Sequence, residues 1–259
     1  MEMGLLRFIA VWGLLYCVGC SVKEDREQCP CLLRLDLSDV DTSVVKSADL
    51  FLSSSGGYEF SETLELAYSG GIYETEVPQG NVDVWLYSGA DNVHIGTEGL
   101  IIPYGDDCPP VYMHSSVVVA LGEQVNETVV MQKNHCLLTV YVKSEEPFPY
   151  SLCFKGTVSG YGTNGKPLEG GFEYSVSPSP DNVCEVCLPR QVDDSLILEI
   201  SDDSDVLRIF TLGEYISAAG YDWNEKNLRD VTVGIDFVVS QFIIAVSEWD
   251  ETHVYEVVI

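Results

Sequence analysis

The chain has 259 residues, of which 46% are hydrophobic and 10% aromatic, and it carries a formal net charge of −28. That much packable side chain excludes an acidic disordered protein and points to a folded, soluble ectodomain. The charge excludes nucleic acid and anionic lipid headgroups as partners, because such a surface repels both.

The chain opens on a targeting segment, residues 1–19. Between Gly4 and Gly19 the only charged residue is Arg7, which Glu2 offsets, and the apolar run 8–15 is too short to span a bilayer, so it matches a signal peptide's hydrophobic region. The run Cys17, Val18, Gly19, Cys20 sets small residues just ahead of a cysteine and resembles a bacterial lipobox, with Cys17 where Leu is usual. Lipoprotein maturation needs a thiol at the first mature position, since the diacylglyceryl group is attached through its sulfur, and only Cys20 fits. The competing reading is a structural cysteine behind an ordinary cleavage site. Residues 20–28 then form a lipidated acidic linker. Its Lys23, Glu24 and Asp25 resemble the tag that sends lipoproteins of some Gram-negative anaerobes to the outer surface, and a solvated linker is compatible with that reading. Outer-membrane, lipid-anchored, surface-facing localisation is the expectation, with the lipid on Cys20 as the only covalent group and no cofactor.

Beyond the linker, short runs with period-two alternation recur at 32–37, 82–87, 115–121, 137–142, 196–200, 231–239 and 253–259, and no long stretch keeps a helical period. Turn residues separate them, among them Ser55-Gly56-Gly57, Asn164-Gly165 and Ser177-Pro178-Ser179-Pro180. The chain is therefore expected to be all-β. One internal similarity organises it: Cys31-Leu32-Leu33-Arg34-Leu35-Asp36-Leu37 reappears as Cys136-Leu137-Leu138-Thr139-Val140-Tyr141-Val142. In an extended strand both cysteines share a face with the alternate apolar residues and should point to a core. These read as the opening strands of two β-sandwich domains, 29–132 and 133–259, meeting near residues 132–135. Chance likeness between two apolar strands is the alternative.

Nine cysteines suggest a metal or redox inventory, but Cys17 leaves with the signal peptide and Cys20 is lipidated. Seven remain, and an odd number cannot all pair within one chain. Cys184 and Cys187 have the spacing of a redox motif, yet on an extended strand positions three apart point to opposite faces, so a structural role is favoured. Cys29 and Cys31 are too close along one strand for a relaxed bridge. If disulfides form, the expected partners are Cys29 or Cys31 with Cys108, and pairs among Cys136, Cys153, Cys184 and Cys187. His94, His114, His135 and His253 are scattered without metal-ligand spacing, so no metal site is expected. There is no nucleophile elbow, P-loop or clear dinucleotide fingerprint, and no enzyme is expected. Asp202-Asp203-Ser204-Asp205 lacks the Gly and terminal Glu of an EF-hand loop and reads as a solvated turn rather than a calcium site.

Several stretches together resemble the FimB/Mfa-type fimbrial anchor family, the lipoprotein subunits of type V (fimbrillin) pili. They are the acidic stretch leading into Cys29-Pro30-Cys31 and Leu35-Asp36-Leu37-Ser38, then Leu212-Gly213-Glu214-Tyr215-Ile216, Tyr221-Asp222-Trp223, Leu228-Arg229-Asp230, and a strand pattern ending near Trp249. The resemblance spans nearly the whole mature chain and departs at Cys17 and in the surplus cysteines. It implies two transthyretin-like β-sandwich domains in tandem after a lipoprotein signal peptide. It also implies a non-catalytic subunit that tethers a fimbria to the outer membrane and limits its length, with fimbrial shaft or accessory pilin subunits as partners. The alternative is a surface glycan-binding lipoprotein. Tyr215, Tyr221 and Trp223 are candidate partner contacts, being large amphipathic side chains, or else they cover the sandwich edge. In the resembled pili, stalk subunits lose an N-terminal strand and accept a neighbour's; here that cut would free the ectodomain from Cys20, so the strand is expected to stay. The C-terminal run, with Val254, Tyr255 and Val257, either donates a strand to a partner or closes a sheet of the second domain.

Overall fold

A computed structural model of the chain describes residues 29–66, 71–90, 93–96, 98–144, 146–202, 205–237, 241–247 and 252–258. The first half runs β1 (Cys31–Asp36), β2 (Ser47–Ser53), β3 (Glu59–Glu65), β4 (Ile72–Val77), β5 (Gly80–Ser88), β6 (His94–Gly96), β7 (Gly99–Ile101), β8 (Tyr112–Ala120), β9 (Gln124–Thr128) and β10 (Gln132–Lys133). The second runs β11 (His135–Lys143), β12 (Ser151–Gly162), β13 (Pro167–Val176), β14 (Val183–Pro189), β15 (Ile197–Ser201), β16 (Val206–Phe210), α1 (Leu212–Ala218), β17 (Asp230–Asp236), β18 (Gln241–Ser247) and β19 (Thr252–Val258). Among the described residues the protein is all-β apart from α1. Every run expected to be a strand overlaps one, with residues 238–239 and 259 of those runs outside the described residues, while α1 falls in a stretch where no helix was expected.

Four sheets make two sandwiches. Sheet β4-β1-β9 faces β10-β8-β5-β2-β3, and β14-β11-β17-β18-β19 faces β16-β15-β12-β7-β6, with β13 added on β12. The alternation read from the sequence sets the faces: Cys31, Leu33 and Leu35 on β1 and Cys136, Leu138 and Val140 on β11 are fully buried. The Cys-Leu-Leu likeness is the visible tip of a longer repeat. β1 is antiparallel to β4 and parallel to β9, and β11 is antiparallel to β14 and parallel to β17. β2 lies between β3 and β5 as β12 lies between β13 and β15, and β5 pairs β8 as β15 pairs β16. The turn residues serve as expected: Gly57 and Gly165, both at positive φ, close the β2–β3 and β12–β13 hairpins.

The chain passes from one sandwich to the other at residues 132–135, but the cores do not divide there. The excursion between β5 and β8 leaves the first sandwich and lays β7 against β12, pairing Leu100 with Tyr161. Two backbones approach so closely that only glycine fits: a Cβ on Gly160 would stand 2.0 Å from the Leu100 carbonyl oxygen, and one on Gly99 2.0 Å from that of Tyr161. Trp85, Tyr87, Leu100, Ile102, Cys108, Val111 and Met113 consequently belong to the second sandwich's core.

Candidate functional site

The junction between the sandwiches concentrates the chain's buried polar contacts. Gln132 and Lys133 pair with Met113 and Tyr112. The segment 221–230, which carries two of the motifs singled out in the sequence, folds over that link: the Leu228 N–H donates to the Lys133 carbonyl at 3.0 Å, and the Lys133 N–H to Asn227 Oδ1 at 2.8 Å. Asp230 Oδ1 accepts from the Leu137 N–H at 2.8 Å and from Lys133 Nζ at 2.5 Å, so one carboxylate fixes the start of β17 to the start of β11.

Arg190, just past β14, holds the segment from the other side. Its Nη1 donates to the carbonyls of Trp223 at 2.5 Å and Glu225 at 2.6 Å, Nη2 to those of Lys226 at 3.2 Å and Lys133 at 3.4 Å, and Nε to Asn134 Oδ1 at 3.1 Å. Its backbone N–H donates to the Tyr161 hydroxyl at 2.8 Å, and that hydroxyl donates to the Asn134 carbonyl. Burial draws the guanidinium's pKa below its ordinary value, against the pull of Tyr161 and nearby acidic groups. A guanidinium fan onto carbonyls satisfies acceptors that a loop would otherwise bury unpaired. His135 is buried beside it, with Nδ1 3.1 Å from the Val111 carbonyl and its ring edge-on to Tyr112 at 5.2 Å. Burial pulls its pKa down to about 4, so it is neutral and donates through Nδ1.

Beside this node lies a cleft of about 440 Å³, the size of a small-ligand or side-chain pocket. Val40, Val44 and Val45 of the first sandwich and Met131, Tyr112 and Leu228 give it apolar walls, while Asp39, Asp41, Lys133, Arg229 and Asp230 supply charge. Hydrogen bonds from Ser43, side chain then backbone, keep the Asp41 carboxyl below its usual range. Arg229 is engaged by Glu225 at 2.9 Å and by the Gly220 carbonyl at 2.9 Å. The cleft thus sets apolar walls of the first sandwich beside charged side chains of both signs. Among the described residues, no group of three or more His, Cys, Asp or Glu side chains is placed to hold a metal ion.

The residues expected to carry function are scattered. Cys20, Lys23, Glu24 and Asp25 lie outside the described residues. Tyr221 and Trp223, expected as partner contacts, are only 4% exposed each: their rings meet edge-to-face at 4.8 Å inside the second core, and the Tyr221 hydroxyl donates to the Arg229 carbonyl at 2.9 Å. That corrects their contact role, since the aromatic area is spent within the chain. Tyr215 is half-buried on α1 against the same core. Val254, Tyr255 and Val257 lie on β19, whose backbone pairs with β18 from residue 252 to 258, so the C-terminal run closes a sheet of its own sandwich.

The expected disulfides are absent: Cys29, Cys31, Cys108, Cys136, Cys153, Cys184 and Cys187 are all free thiols. Geometry explains it. Cys31 sits in the first core and Cys108 in the second. Cys187 stands opposite Leu137 and Cys136 opposite Leu188, so those two cysteines take opposite faces of one sheet. Cys184 and Cys187 share an extended strand, as expected. Burial pushes the thiols of Cys136 and Cys184 up to about 12 and about 11, which leaves them unreactive. Sequence reasoning missed Arg190, Asn134 and Tyr161. Arg190 acts mainly on main-chain carbonyls, which carry no side-chain signature; its one sequence signal was that a chain with 13 Lys and Arg keeps one directly after a Leu-Pro strand end.

No family model matches the chain, and no curated protein matches it. Solved structures do. A candidate polysaccharide-binding protein from Bacteroides thetaiotaomicron superposes with a TM-score of 0.62 at 14% identity, covering 88% of this chain and 98% of its own. A candidate adhesin from Bacteroides ovatus gives 0.60 at 12%, covering 88% and 96%. The fimbrial anchor protein Mfa2 from Porphyromonas gingivalis gives 0.60 at 12%, covering 88% of this chain and all of Mfa2's solved chain. Over 88% of its length, the two-sandwich fold of this chain is therefore similar to the folds of a fimbrial anchor and of candidate adhesins of Bacteroides.

Proposed function

We propose that the protein is a non-catalytic, lipid-anchored subunit that tethers a type V fimbria to the outer membrane and limits its length. The observation that carries the reading is the fold shared with the Mfa2 fimbrial anchor across 88% of the chain. The place of β1 supports it. β1 is the central strand of its sheet, hydrogen-bonded to β4 on one side and β9 on the other, and it buries Leu33 and Leu35. Removing it would split the sheet and open the first core, so this subunit keeps its own strand and offers no groove for another to fill. Growth ends at such a subunit. Lipid on Cys20 then holds the ectodomain through the short linker to Cys29, and pilin subunits of the shaft are the partners. The glycan-binding alternative rests on exposed aromatic platforms; Trp85 and Trp223 are buried, whereas Tyr104 and Tyr141 are exposed.

Cys20→Ala tests the anchor directly. The variant is expected to leave the membrane fraction and to lose acyl labelling while keeping the circular dichroism of the folded ectodomain. A variant that stays membrane-bound and lipid-labelled would overturn the lipoprotein reading.

A further inference from the structure

The excursion that leaves the first sandwich does more than pack. After β7 it runs along the free edge of β14, and there Asp107 and Cys108 clamp Cys187. The Cys108 N–H donates to the Cys187 carbonyl at 3.3 Å, and the Cys187 N–H donates to Asp107 Oδ1 at 3.0 Å. We infer that Cys108 and Cys187 join in an intramolecular disulfide when the chain folds in the presence of a disulfide donor, riveting the first sandwich's excursion to the edge strand of the second.

The argument is geometric. A backbone N–H···O bond between the two residues themselves sets their backbones at the separation of neighbouring strands, inside the span that a disulfide bridges without backbone movement. The two thiols lie close enough for the charge of one to act on the other, and the Cys108 thiol donates to the Pro109 carbonyl at 3.3 Å. Both are buried, at 2% and 7% exposure, on segments pinned by β7's ladder with β12 and by β14's with β11. The other ectodomain cysteines are differently placed. Cys136 and Cys184 take the opposite face of the sheet from Cys187, Cys153 lies on β12, Cys29 is exposed ahead of β1, and Cys31 lies in the other core.

The chemistry balances with a donor disulfide, either oxidised glutathione or a disulfide oxidoreductase. The Cys187 thiolate attacks a donor sulfur, forming a mixed disulfide and releasing one donor thiolate. The Cys108 thiolate then attacks Cys187 Sγ, the new S–S bond forms, and the second donor thiolate leaves. The protons lost by the two protein thiols go to the two donor thiolates; the cysteines are oxidised and the donor disulfide is reduced. Burial, reinforced by Cys187 and Asp107, pushes the Cys108 thiol well above its ordinary value. The bond accordingly forms during folding, before the excursion closes over β14, and is slow to form in the folded reduced protein.

The test uses the mature chain with Cys20→Ser, refolded with oxidised and reduced glutathione, alkylated without reduction, and digested with trypsin and a glutamate-specific protease, which cuts at Glu185 between Cys184 and Cys187. The expected result is one linked pair of peptides carrying Cys108 and Cys187, with the five other ectodomain cysteines alkylated, and a thermal midpoint that falls when reductant is added. Cys108→Ser and Cys187→Ser should abolish both the linked pair and the response to reductant. Should either variant fail to fold, the wild-type peptide map decides alone. Alkylation of both Cys108 and Cys187 after oxidative refolding, or a link from either to another cysteine, would overturn the inference.

Discussion

The first sandwich's buried cluster is aliphatic, built on Leu33, Leu35, Leu50, Leu52 and Leu86 without one buried aromatic ring, whereas the second packs Trp85, Phe154, Tyr161, Phe172, Phe210, Tyr221 and Trp223 onto the same strand plan. The difference follows from what each sandwich must cover. Two long connections, the one between β5 and β8 and the one between β16 and β17, both fold onto the second core, and large rings fill the extra depth. β5 shows how the two cores are joined. Its Val82, Val84 and Leu86 face the first core, while Trp85 and Tyr87, with rings 4.4 Å apart, face the second. Sharing a strand plan therefore does not make the halves independent; one strand of the first is a wall of the second.

The largest expected effect on that comparison comes from Trp85→Ala. Truncating a buried tryptophan costs about 3–5 kcal/mol, and here the loss should appear in the other sandwich. Hydrogen exchange should lose protection in β11 and β12, with β1 and β4 far less affected. Protection lost only in the first sandwich would mean that the two cores are separate. A smaller effect is expected at the junction. The folded-state pKa of His135, pulled down to about 4, lies below the ordinary histidine value of 6.5, so the folded protein binds fewer protons than the unfolded chain between those values. The stability that neutral His135 contributes is whole above pH 6.5 and is lost as the pH falls toward 4, by up to ~3 kcal/mol. Asp107, pushed up to about 6 mainly by burial, acts with the opposite sign, its ionisation costing the folded state as the pH rises through that window. An NMR titration separates the two: a His135 midpoint near 4 fits a buried junction, and one near 6.5 would show the junction open to water.

How much of this was legible in the sequence depended on burial. The two opening strands were visible because each hides one face completely, so Cys31, Leu33 and Leu35 and their counterparts Cys136, Leu138 and Val140 alternate without interruption. The rest of the repeat was not, because its matching strands differ in what they cover. β3 reads Glu-Phe-Ser-Glu-Thr-Leu-Glu and is mostly exposed at a sheet edge, which erases alternation. In β5 the period-two pattern gives way at Val84-Trp85-Leu86-Tyr87 to a continuous apolar run, the mark of a strand buried on both faces. The docking of β7 on β12 depends on Gly99 and Gly160, which lie far apart in sequence and say nothing singly. Tyr221 and Trp223 illustrate the limit at the candidate site: an aromatic side chain suits a core and an interface equally, and only the Arg190 node decides between them.

Immunogold labelling of surface fimbriae, on cells carrying an epitope in the exposed hairpin at Ser55-Gly56-Gly57, tests whether this chain holds the base of a fimbria at the membrane. Label at the membrane-proximal end of each fimbria and nowhere along the shaft is the expected result, whereas label spread along the shaft, or cells whose fimbriae carry none, would overturn the proposed tether.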